Sequence, residues 1–167
     1  MEKTFAIALG IVTADKERGG YPSLEYDNVS LETVIADVKR LQKKYKLGKC
    51  VVVKTMKGYH VHFFWDNGRS WEEILQITED SLAPSDFKEM TRAIGKRVIR
   101  ISGKYKTPDL KVIGIIDSEY EGYGDKTIGD AYLCFFTKLL NIKLPDFLLV
   151  SKEEWEKIEK LQATNLA

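Results

Sequence analysis

The chain has 167 residues, with 26 Lys and Arg against 25 Asp and Glu and a formal net charge of +1. That balance gives no overall pull toward nucleic acid, so any such contact must come from a local patch. An apolar content of 44% with 31% charged residues is that of a globular chain large enough to bury a core without disulfides or a structural metal. Cys50 and Cys134 are too few and too isolated for a disulfide framework or a zinc site, and both are expected as buried thiols in a reducing, intracellular (cytoplasmic) setting. No stretch has the length of a membrane span, so no membrane partner is expected.

The apolar run Thr4 to Val12 reads as a strand rather than a leader, because its flank, Glu2-Lys3, carries no net positive charge. A polar loop ending in Gly19-Gly20-Tyr21-Pro22 then delivers the chain into a second strand, Leu24 to Asn28. Ser30 is the expected N-cap of a helix whose apolar positions Leu31, Val34, Ile35, Val38 and Leu41 follow the 3.6-residue period, with a stop near Gly48. Two strands follow, about Lys49 to Thr55 and Gly58 to Trp65, joined by a turn at Met56 and Lys57. Ser70-Trp71-Glu72-Glu73 has the form of a capping box and opens a short helix through Ile77. Ser85-Asp86-Phe87 opens another, with Gly95 as its stop. Strands over Arg97 to Ser102 and Leu110 to Asp117 flank a connection from Gly103 to Asp109. Helices over Asp130 to Leu140 and after Ser151-Lys152-Glu153-Glu154 complete the chain. Phe135, Phe136, Leu139 and Leu140 are read as helix packing rather than a base-stacking platform.

This order predicts an α+β fold in a single domain spanning 1-167. Its core, about 20-117, is an RRM-like antiparallel sheet with helices packed on one face and the other face open, followed by a C-terminal helical extension over about 128-167.

Chemistry concentrates in two strands. In a strand, residues i and i+2 share a face. Tyr59, Val61, Phe63 and Trp65 therefore form a core face, and the only two histidines, His60 and His62, stand on the other. In the same way Leu24 and Tyr26 are buried while Glu25 and Asp27 project together, a pair suited to a hard cation such as Mg or Mn. Lys54, Lys57, Arg100 and Lys104 are the candidate phosphate contacts. Arg97 and Arg100, three apart, cannot share a face of a regular strand.

The runs Glu25-Tyr26-Asp27, the Ser30 to Lys46 helix and Thr55-Met56-Lys57-Gly58-Tyr59-His60 together resemble the catalytic core of the archaeo-eukaryotic primase superfamily, over roughly residues 20 to 117. The resemblance implies a minimal primase-polymerase of a virus or plasmid replication system. It implies metal-dependent nucleotidyl transfer with nucleic acid, nucleoside triphosphates and replication proteins as partners. Glu25 and Asp27 would be metal ligands, and His60 would contact phosphate. The third carboxylate of that family falls on Asp117, with Asp109 second. Glu25 stands where the family has Asp, and Thr55 where it more often has Ser.

Two other readings remain open. His60-Val61-His62 with Tyr123 as nucleophile matches the His-hydrophobic-His pattern of rolling-circle nickases, in which both imidazoles hold one cation and a tyrosine attacks DNA. A non-catalytic nucleic-acid-binding domain on the same scaffold is the other.

Overall fold

A computed structural model of the protein describes residues 4–6, 10–101, 110–140 and 149–164. The fold is α+β, with antiparallel sheets packed against helices. The strands are β1 (Thr4–Ala6), β2 (Gly10–Asp15), β3 (Gly19–Gly20), β4 (Ser23–Asp27), β5 (Cys50–Lys54), β6 (Gly58–His62), β7 (Lys96–Arg100), β8 (Lys111–Ile116) and β9 (Leu149–Ser151). The helices are α1 (Leu31–Tyr45), α2 (Trp71–Asp80), α3 (Ser85–Ile94), α4 (Lys126–Leu140) and α5 (Lys152–Ala163). The principal sheet has the order β4-β6-β5-β8, a smaller sheet the order β3-β2-β7, and β1 pairs with β9.

Alternation in β4 and β6 builds the first core as expected. Leu24, Tyr26, Val61 and Phe63 are fully buried against Val34, Val38 and Leu41 of α1. Helix α1 begins where Ser30 Oγ accepts the Thr33 N–H and ends at Lys46, which takes the left-handed conformation at φ 53°. The stop therefore falls two residues before the expected Gly48. The capping box at Ser70 and Glu73 is present, and Gly95 ends α3 in the left-handed region.

The expected open face is a correction. The second face of the sheet is covered by Ile99 and Ile101, from β7 and the residue following it, and by Phe136 of α4; these bury Val51, Val53 and Phe64 in a second core. The RRM-like order is also not reproduced. β4, β6 and β5 keep the split βαβ arrangement, but the next strand in the sheet, β8, pairs with β5 rather than with β4. The run expected as the first strand contributes to two sheets, with β1 on β9 and β2 on β7. Cys50 is buried and Cys134 is exposed.

One position fixes how closely β4 meets the β5–β6 turn. A Cβ added to Gly58 would lie 1.8 Å from the Tyr26 carbonyl oxygen. Neither backbone can yield without breaking the β4–β6 pairing, so Gly58→Ala is expected to destabilise the fold by about 3 kcal/mol or more. Urea unfolding of the two proteins side by side measures this.

Candidate functional site

The β4–β6 register sets Glu25 opposite His60 and Asp27 opposite Gly58. The same alternation that buries Leu24 and Tyr26 turns Glu25, Asp27 and His60 toward the second face. There they line an open cleft of about 220 Å³. The β5–β6 turn contributes Thr55, Met56 and Lys57 to its wall, the first turn of α3 contributes Asp86, and the end of β7 contributes Arg100. Thr55 Oγ1 accepts the Gly58 N–H at 3.0 Å, so its hydroxyl shapes the turn.

His60 Nε2 lies 3.9 Å from Glu25 Oε2. Burial pushes the imidazole down to about 4, and the Arg100 guanidinium presses the same way against a weaker opposing effect of the Arg100 backbone. At neutral pH His60 is uncharged, and its contact with Glu25 is not an ion pair. The Glu25 carboxyl is raised above the usual range, first by burial and then by repulsion from Asp27 and Asp86, with Arg100 and Arg97 opposing. The cleft is thus an acidic wall in which at least one carboxylate is held at an electrostatic cost, facing Arg100 and Lys57. A divalent cation relieves that kind of strain.

Among the described residues no three His, Cys, Asp or Glu side chains form a group able to hold a metal by themselves. Glu25 and Asp27 fit Mg or Mn as a carboxylate pair, since a hard cation of that size keeps several waters and takes its remaining ligands from substrate phosphates.

The other residues singled out by sequence are dispersed. Asp117 follows β8 at the Cys50 end of the sheet, beside Lys49 and Ser118, and does not reach the cleft. Asp86 is the third acid that does. Lys54 donates to the Gly58 carbonyl at 3.3 Å and lies over the Tyr59 ring, on the α1 side of the sheet. Lys104 and Asp109 lie outside the described residues.

The nickase arrangement is not assembled. His62 is completely buried, its Nδ1 3.3 Å from the Tyr21 hydroxyl and its ring packed against Phe64 and Phe136. Burial holds its pKa well below the usual value, with His60 adding to the shift. Tyr123 is exposed beside Arg69, with its backbone N–H on Asp66 at the far end of β6. His62 is a core histidine.

Sequence reasoning missed Asp86, whose position in Ser85-Asp86-Phe87 signals only a helix start. It also missed Arg97, which neither faces solvent nor enters the cleft but is fully buried.

Both histidines bind protons more weakly in the folded chain than in the unfolded one. The stability they contribute is complete above their ordinary pKa of 6.5 and is lost as pH falls toward the folded value, about 4 for His60. Glu25, raised, works in the opposite sense over the carboxylate range and offsets part of this. Thermal melts from pH 7 to 4 are expected to show a falling Tm, with a shallower fall in His62→Leu.

Comparisons of this chain with protein-family models, curated proteins and solved structures give no match.

Proposed function

We propose that the cleft is the active site of a minimal primase-polymerase, a metal-dependent nucleotidyl transferase acting on a nucleic-acid template with nucleoside triphosphates. The observation that carries the reading is the β4–β6 register, which brings the acidic pair Glu25 and Asp27 onto the same face as His60, within a cleft that also contains Arg100 and Lys57. Glu25 and Asp27 would hold Mg or Mn, which when bound offsets phosphate charge and makes an attacking hydroxyl more acidic.

The chain's own groups divide the remaining work. Arg100 offers a planar, permanently charged fork suited to two phosphate oxygens, and Lys57, on the exposed turn, offers a point charge. His60, neutral and nearly enclosed, lines the cleft without adding a second cation beside Arg100. Coverage of the second face by β7 and α4 limits the site to the Gly58 end of the sheet, where the cleft is open to solvent. Replication proteins of a virus or plasmid system inside the cell are the partners this reading implies.

The test is incorporation of a labelled nucleotide on a single-stranded template with Mn2+. The wild type is expected to extend or initiate a strand, and Asp27→Ala and His60→Ala are expected to be inactive. Full incorporation by Asp27→Ala would contradict the assignment.

Arg100 and Lys57 in the lining favour one second reading, a phosphate-binding module on the same cleft without catalysis. Template binding that is lost on Arg100→Ala, with no incorporation by the wild type under any metal, would support it.

A further inference from the structure

Arg97 is fully buried, yet it makes no ion pair among the described residues. Its Nη2 donates to Thr78 Oγ1 of α2 at 2.9 Å, while Nε and Nη1 have no hydrogen-bond partner among the described residues. The guanidinium lies 3.7 Å from the centre of the Phe87 ring. Phe87 is buried in the first turn of α3 and directly follows Asp86, which lines the cleft. The inner end of the same side chain springs from β7, which packs against β4, and its charge is felt by Glu25. A buried guanidinium with one hydrogen bond is costly, and an apolar side chain would fill this space more cheaply. The arrangement therefore needs a reason beyond packing.

We propose that Arg97 is a positioning residue that pins the first turn of α3, through the Phe87 ring, to the β4 side of the cleft and so holds Asp86 and the acidic wall in place. The pin itself does not depend on the nucleotidyl-transfer reading; only its effect on phosphate binding rests on that reading. Arg97 touches neither the cleft space nor any group expected to react. Thr78 and Phe87, the hydrogen-bond and ring partners of the guanidinium, come from different helices, so one side chain links α2, α3 and β7. Cation–aromatic stacking of this kind is stronger when desolvated, which burial ensures here.

Amide hydrogen exchange tests the pin, on wild type, R97M, R97K and F87L, comparing Lys88, whose N–H closes the first turn of α3 on the Pro84 carbonyl, with the centre of α1. R97M and F87L are expected to speed exchange in the first turn of α3 about tenfold or more while α1 exchanges at the wild-type rate, as for a local opening. R97K, which keeps the charge, is expected to recover part of the protection. The same proteins are titrated with inorganic triphosphate in the presence of Mg2+, where R97M is expected to bind about tenfold more weakly and R97K to recover part of that loss. Unchanged exchange at Lys88 in both R97M and F87L, or acceleration equal to that of α1, overturns the pin. If R97M does not fold, F87L alone decides, because it leaves the buried charge in place. Absence of triphosphate binding by the wild type counts against the phosphate reading of the cleft, and the exchange result still decides the role of Arg97.

Discussion

Glu25→Gln is expected to lower nucleotide incorporation by a factor on the order of 10²–10³ while leaving the melting temperature unchanged or slightly raised. The two halves of that result have one cause. The Glu25 side chain is one-third exposed, and its ionised form is disfavoured by burial and by the neighbouring Asp27 and Asp86 carboxylates. A neutral amide of the same shape removes that repulsion, so the folded state gains. It also removes one of the two charges that would hold the cation, so the chemistry fails. Asp27→Asn is expected to give the same loss of incorporation, since Asp27 is the other member of the pair. A variant that lost activity only in proportion to lost folded protein would mean that these acids support structure and not function. Incorporation assays on protein of verified far-UV signal and Tm separate the two cases.

His60→Ala and His62→Ala are expected to fail in different ways although the residues are two apart on one strand face. His62 sits in the second core between Phe64 and Phe136 and shares a hydrogen bond with the Tyr21 hydroxyl. Truncation leaves a cavity there and a buried hydroxyl without its partner, at a cost of about 2–4 kcal/mol. His62→Ala is thus expected to melt many degrees lower, with incorporation per folded molecule close to wild type at low temperature. His60 lines the cleft beside Glu25, so His60→Ala is expected to retain most of the stability and lose the activity. Equal loss of activity from both variants, at matched folded fraction, would revive a site in which the two imidazoles hold one cation.

The period-two pattern in Leu24 to Asp27 and Gly58 to Val61 is enough to sort core from cleft, because one strand face must be apolar wherever a helix covers it. It could not show that the other face is covered too. Val51, Val53 and Phe64 on that face carried the clue, since a strand apolar on both sides is buried on both sides. His62 was misplaced for that reason: periodicity reports a shared face, whereas the covering segments, β7 and α4, come from far along the chain. Asp117 ends a strand and so reads as a third acid in sequence, but antiparallel pairing of β8 with β5 carries it to the end of the sheet away from Gly58. Asp86 escaped notice because a carboxylate in the first turn of a helix is already explained by the helix dipole. Arg97 is legible only in three dimensions, as nothing in Lys96-Arg97-Val98 distinguishes a buried arginine from an exposed one.

The most direct measurement is a titration of Mn2+ into isotope-labelled protein, with paramagnetic line broadening followed residue by residue, first alone and then with a nucleoside triphosphate. Broadening centred on Glu25, Asp27, Gly58 and His60, at lower Mn2+ once the nucleotide is present, is the expected result. Broadening centred instead on the acidic Asp117 to Asp125 segment, or none at the cleft with nucleotide bound, would contradict a metal-dependent nucleotidyl-transfer site between β4 and β6.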